Sequence, residues 1–168
     1  MTTTALGGTP VHLTGDLPAT GSPAPVYRLT GSDLGDLERD PERATVLNIF
    51  PSVDTGVCAS SVRRFNELAA GQPEVSVVCV SADLPFAQQR FCGAEGIEHV
   101  VMGSSFRSDF GTDFGVTMVD GAFRGLLARS VVVLDRDGTV LYTQLVEEIG
   151  LEPDYDAALK VLGLTALG

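Results

Sequence analysis

"TVLNIFPSVDTGVCASSVRRFNELAA", residues 45–70, is the stretch whose reading decides the fold. It begins with a β-branched and apolar run, Thr45 to Phe50, the composition of a buried strand. The run stops at Pro51. Small and polar residues, broken by Val53, carry the chain to Gly56 and Cys58, and from Ala59 to Ala70 the pattern is helical. Cys58, Val62, Phe65 and Ala69 share one helical face. Gly71 and Pro73 end the helix. The unit is strand, loop, helix, with a cysteine where the helix starts.

Working outward, the same alternation repeats. "VSVVCVSA" (Val75 to Ala82) is a second buried strand, and "DLPFAQQRFCGAEG" is a second helix, with Asp83 as N-cap candidate, Pro85 in its first turn and Gly93 and Gly96 near its end. "HVVMGS" gives a third strand and "FRSDFGTDFGV" a weak helix with two internal glycines. "SVVVLDRDGTVLYTQLV" reads as a hairpin turned at "DRDG", and Glu152 to Leu162 as an amphipathic closing helix. Upstream, "PVHLTG" belongs to a small hairpin, "VYRLTG" (Val26 to Gly31) is a strand, and "SDLGDLERDPE" gives one helical turn and a loop. Strands alternating with helices and followed by a hairpin specify an α/β layer fold with a mixed sheet. A thioredoxin-like arrangement fits this order, and so does a flavodoxin-like one.

The chain has 168 residues, enough for one domain, expected to span residues 1–168. Its net charge of −11, from 22 acids against 11 bases, argues against nucleic acid and anionic membrane surfaces as partners. The start, "MTTTALGGTP", lacks the basic and apolar regions of a secretory signal, and no apolar run approaches the roughly 20 residues that span a bilayer. The expected compartment is the cytoplasm. Three cysteines, an odd number, do not suggest a disulfide-stapled scaffold.

Each cysteine has a bland reading and a chemical one. Cys79, in the middle of "VSVVCVSA", reads as a small core residue. Cys92 lies off the apolar stripe of its helix, beside Gln88 and Gln89, so it is expected near the surface, either as a plain thiol or as a redox partner. Cys58 starts an apolar stripe and could be core. It also sits at a helix N-terminus, where unpaired N–H groups favour an anion. Thr55 is one turn before it, with a hydroxyl that can donate or accept. Gly56 leaves room for close approach of a ligand.

Helix placement alone does not make a thiol reactive. A helix end favours an anion by roughly 0.3–1 kcal/mol, whereas a tenfold gain in thiolate takes about 1.4 kcal/mol. A cation about 4 Å away adds roughly 4 kcal/mol at an effective dielectric near 20, before desolvation. Arg63 and Arg64 lie on the outer side of the same helix. Arg129, at the entry to the buried run of "LLARSVVVL", is the better candidate, although a charge at a strand mouth is also an ordinary feature. No cysteine pair has the short spacing of structural zinc sites, and there is no C-x-x-C dithiol. A Cys–His nucleophile would have to use His12 or His99, each a lone histidine.

"PSVDTGVC" resembles the P-x-x-x-T-x-x-C motif of the peroxiredoxins. "LNIFPSVDTGVCASSVRRFN", "SADLPFAQQRFCGAEG", "ARSVVVLD" and "EPDYDAAL" together resemble one branch, the bacterial thiol peroxidases, which are atypical two-cysteine peroxiredoxins. The resemblance runs from about residue 8 onward, thins in "VTMVDGAFRGL", and leaves the terminal "GLTALG" without a role. It implies a three-layer thioredoxin-like fold with a mixed central sheet and an N-terminal β-hairpin. It implies a homodimer that reduces hydrogen peroxide and alkyl hydroperoxides as antioxidant defence, with thioredoxin as electron donor and no cofactor, whether metal, haem or flavin.

By motif position the resemblance makes Cys58 the peroxidatic cysteine and Cys92 the resolving one, joined in an intrachain redox disulfide. Thr55 and Arg129 become the polar groups that hold thiolate and peroxide, and Pro51 the wall of the pocket. Disulfide geometry needs Cα atoms within about 7 Å, so the turns after Gly56 and near Gly93 are expected to unwind when the bridge forms. The contrasting function is a redox-sensing module that uses the same disulfide switch without turnover.

Overall fold

The computed structural model describes residues 2–164, so most of the terminal "GLTALG" lies outside the described residues. Strands β1 (Thr3–Leu6) and β2 (Thr9–His12) form a separate antiparallel hairpin. The main sheet contains β3 (Leu29–Thr30), β4 (Asp36–Leu37), β5 (Ala44–Ile49), β6 (Val75–Ser81), β7 (Val101–Ser104), β8 (Ser130–Leu134) and β9 (Val140–Leu145). Its order is β4-β3-β7-β6-β5-β8-β9. The centre, β5, β6 and β7, is parallel; β8, β9, β3 and β4 are added antiparallel. The sheet is mixed, as the element order requires.

Alternation along the central strands builds two cores. Val46, Val77, Cys79, Val131 and Val133 face one side, against α1 (Gly56–Ala69), α2 (Pro85–Glu95) and α4 (Tyr155–Lys160). Leu47, Ile49, Val78, Val80 and Val132 face the other, against Tyr27, Phe110 and Phe114 around α3 (Phe110–Asp113). The sheet is therefore buried on both faces, which is why its strands read as unbroken apolar runs. Among the described residues no helix is long and apolar enough to cross a membrane.

Three local expectations need correction. "SDLGDLERDPE" contains no helical turn: Leu34 has a left-handed φ of 68°, and Asp36–Leu37 pair with β3 as a short strand. "VYRLTG" contributes only Leu29–Thr30 as strand. In α2 the amphipathic reading holds at the buried Phe91 and fails at Phe86 and Gln88. Phe86 is 65% exposed, whereas Gln88 is 1% exposed and donates from Nε2 to Ser81 Oγ and the Gly103 carbonyl. A polar side chain can occupy the core when its donors are satisfied. Cys92, one turn after Gln88, consequently lies on the inward side. It is half-buried and packs on the helical-side core.

Candidate active site

The register of the sheet brings the site together. Ile49 pairs with Ser130, so the C-terminal end of β5 runs beside the N-terminal end of β8. The next residues along each strand are Phe50–Pro51 and Arg129. Pro51 is buried and ends the strand; α1 starts five residues later and carries Cys58 in its first turn. Residues 71 positions apart thus converge. Arg129 Nη2 donates to Cys58 Sγ across 3.2 Å, and the two side chains are 1% and 0% exposed.

Arg129 is held as a fork. Its Nε donates to the Ile149 carbonyl at 2.9 Å, Nη2 reaches the sulfur, and Nη1 is buried with no partner among the described residues. An unpaired buried donor is costly, so Nη1 marks a place where a polar group from outside the protein would be favoured. The start of α1 adds to this. Thr55 is its N-cap, but its side chain does not cap the helix, and the first turn has no acidic residue. The first-turn amides are left to an incoming anion or dipole. A Cβ at Gly56 would meet only open space, so Gly56 is not required by local packing.

Thr55 Oγ1 donates to the Ser52 carbonyl at 3.1 Å rather than to Cys58. Its proton is engaged, so its oxygen is left as an acceptor. The loop itself is pinned by Asp83, expected from sequence to be the N-cap of α2. The cap position is Leu84, with no side-chain cap. The Asp83 carboxylate instead accepts from Ser52 Oγ at 2.7 Å, Val53 N–H at 2.9 Å and Ser81 Oγ at 2.6 Å. Two ion pairs, Arg90–Asp54 and Arg63–Glu95, add links between the Cys58 segment and α2. All four charged side chains are substantially exposed, so these pairs contribute little to stability.

The three thiols differ. All are free. Burial pushes Cys79 up to about 12, against a lowering hydrogen bond from Asn48 Nδ2 at 3.6 Å. Burial also raises Cys92 above the ordinary thiol range. Among the described residues, only Cys58 takes a hydrogen bond from a cation. Neither histidine ring bonds the Cys58 sulfur among the described residues: His12 Nδ1 pairs with Asp120 at 2.6 Å, and His99 lies beside Ala69 and Ala70 at the far end of α1. Asn48, the one amide in the β5 run, also donates to Ser61 Oγ, whose hydroxyl donates to the Cys58 carbonyl. That network, the Asp83 clasp and the Ile149 carbonyl were not found by sequence reasoning. A lone polar residue inside "TVLNIF" was the available signal for Asn48.

Comparison with known proteins gives a consistent result. The Redoxin family matches residues 19–159. A thiol peroxidase of Mycobacterium tuberculosis is 58% identical over 160 residues, covering 94% of this chain and 96% of that protein. A thiol peroxidase of Corynebacterium glutamicum is 52% identical over 164 residues, covering 96% and 99%. Among solved structures, a peroxiredoxin-like protein from Aquifex aeolicus has a TM-score of 0.91 at 40% identity, over 96% of both chains. A thiol peroxidase from Chromobacterium violaceum superposes with a TM-score of 0.88 over 96% and 95% at 19% identity, a likeness of fold.

Proposed function

This chain belongs to the Redoxin family, and we infer that its Cys58–Arg129 pair is the reaction centre of a thiol-dependent peroxidase with hydroperoxides as substrates. The observation that carries this is the forked Arg129, with one arm on the sulfur and one buried arm unpartnered. A fork of this kind stabilises the thiolate and leaves a donor for the oxygen on which charge develops.

The chemistry follows from the thiol. The Cys58 thiolate attacks the terminal peroxide oxygen. A sulfur–oxygen bond forms, the O–O bond breaks, and an alkoxide or hydroxide leaves to take a proton from water. Cys58 becomes a sulfenic acid. Arg129 Nη1 and the open amides of α1 face the charge spread over sulfur and both oxygens, Thr55 Oγ1 accepts from the peroxide O–H, and Pro51 walls the pocket. The Cys92 thiol then condenses with the sulfenic acid, releasing water and giving an intrachain disulfide. Each cysteine sits near an element end, so the first turn of α1 and the last turn of α2 open for this step. A dithiol such as thioredoxin reopens the bridge by exchange. The working unit is a homodimer in the cytoplasm.

The test is NADPH consumption with thioredoxin, its reductase and cumene hydroperoxide. Sustained consumption that disappears in Cys58→Ser supports the enzyme. One oxidation with no turnover, for any dithiol donor, would instead fit a disulfide-switch sensor.

A further inference from the structure

The N-terminal hairpin lies outside the main sheet, yet it holds the short strip Val146–Ile149 at three places. Thr4, buried, donates from Oγ1 to the Val146 carbonyl at 2.9 Å. The Ile149 N–H donates to the Ala5 carbonyl at 2.8 Å. At the hairpin tip, the N–H groups of Gly7 and Gly8 donate to the two carboxylate oxygens of Glu148 at 2.7 and 3.0 Å. Gly7 and Gly8 have φ of 60° and 82°, so this tip turn needs glycine, and its successive amides form a concave anion seat.

The same strip grips Arg129 at both ends. Val146 N–H donates to the Arg129 carbonyl at 3.1 Å, and the Ile149 carbonyl accepts from Arg129 Nε at 2.9 Å. A continuous set of hydrogen bonds therefore runs from the hairpin tip to the sulfur of Cys58. Arginine carries its planar guanidinium on a flexible stem, so the direction of the fork depends on which of its donors are fixed. Nε is the fixed point, and its acceptor is a backbone carbonyl in a segment without regular structure.

We propose that the N-terminal hairpin is a positioning element for Arg129, acting through the Val146–Ile149 strip, with Thr4 and Glu148 as its positioning residues. This rests on Arg129 being the cation of the Cys58 site. Glu148 fixes the strip from outside by seating on the tip amides, and Thr4 fixes it from inside. Loss of either lets the Ile149 carbonyl drift and Arg129 Nη2 leave the sulfur. The hairpin thus contributes to reactivity, beyond covering one end of the sheet.

The test uses the full chain in a Cys92→Ser background, where Cys58 and Cys79 are the remaining thiols. Cys79 does not ionise near pH 7, because burial holds it at about 12. Ultraviolet thiolate absorbance at neutral pH therefore reads Cys58 alone. Thr4→Val, Thr4→Ser, Glu148→Ala and Glu148→Gln are compared for that absorbance and for the rate of first oxidation by cumene hydroperoxide. Thr4→Val and Glu148→Ala are expected to slow oxidation between about 10-fold and 100-fold, the scale of a 1 Å misplacement, and to lower the absorbance. Thr4→Ser restores both, and Glu148→Gln lies between. Asp120→Asn, on a residue that bonds the hairpin at His12 but not the strip, leaves both unchanged. Wild-type rate and absorbance in either Thr4→Val or Glu148→Ala overturns the proposal, as does a fall in melting temperature with neither readout moved. If Arg129→Ala itself keeps the wild-type rate and absorbance, the reading of the site fails first and the hairpin's role with it.

Discussion

Replacing Arg129 by lysine separates the two tasks assigned to its fork. At 3.2 Å, opposite unit charges attract by about 5 kcal/mol at an effective dielectric near 20. Desolvation cancels part of this, and a hydrogen bond to a charged group is worth about 1.5–3 kcal/mol net. The second arm, Nη1, is buried without a partner among the described residues and is the donor proposed for the peroxide. A donor that engages the developing oxyanion is worth about 2.7–4 kcal/mol, or about 10²–10³ in rate. Arg129→Ala loses both and is expected to slow peroxide reduction by about 10³ or more. Lysine keeps a charge but is a point donor on a flexible stem. It holds the thiolate without also reaching the peroxide and the Ile149 carbonyl. Two reactions of Cys58 are measured for each variant: alkylation by iodoacetamide, which needs only thiolate, and competitive stopped-flow reduction of cumene hydroperoxide. Arg129→Lys is expected to alkylate within about tenfold of wild type while losing about 10²–10³ in peroxide reduction. Equal losses in the two reactions would refute the division of labour. Wild-type peroxide reduction in folded Arg129→Ala would remove Arg129 from the site altogether.

Three other outcomes follow from the same contacts. Asp83→Ala removes the acceptor of three loop and strand donors; denaturant unfolding should show a loss of about 2 kcal/mol or more, and rapid quench should show faster disulfide closure once Cys58 is oxidised, because the loop opens more easily. Cys92→Ser should complete one round of peroxide reduction, seen as stoichiometric alcohol release, and then stall with thioredoxin; normal turnover would dismiss Cys92 as the resolving thiol. Cys79 keeps its proton in the folded state up to about pH 12, whereas an unfolded thiol loses it near its reference value of 9.0. The folded state binds more protons over that window, so the contribution of Cys79 is complete below it and declines as pH rises from about 9 towards 12. The melting temperature of reduced Cys79→Ala should fall less steeply across that window than that of the wild type.

The β5–loop–α1 unit was legible because its two periods are strong and its breakers, Pro51, Gly71 and Pro73, stand at the boundaries. Arg129 was legible through energy rather than pattern: the helix end fell short of activating a thiol, and one arginine stood at the mouth of a buried strand. The α2 face was misread because periodicity counts Gln88 as polar, whereas its donors are satisfied in the core and Phe86 turns outward. Asp83 was misread because an acid before a helix signals a cap, and only the tertiary approach of Ser52 and Val53 redirects it. Strand β4 has two residues and exists through pairing with β3, so local propensity carries almost no trace of it. The hairpin–strip contacts of Thr4 and Glu148 join residues about 140 positions apart, each with a side chain on one side and a backbone group on the other, and the backbone half leaves no mark in a sequence.

The most direct test of the account is to treat the reduced protein with one equivalent of cumene hydroperoxide, block remaining thiols and map the cysteine peptides by mass spectrometry. One alcohol is expected per chain, with Cys58 and Cys92 joined within the chain and Cys79 recovered as a free thiol. A bridge that includes Cys79, or peroxide consumed with Cys58 still free, would contradict it.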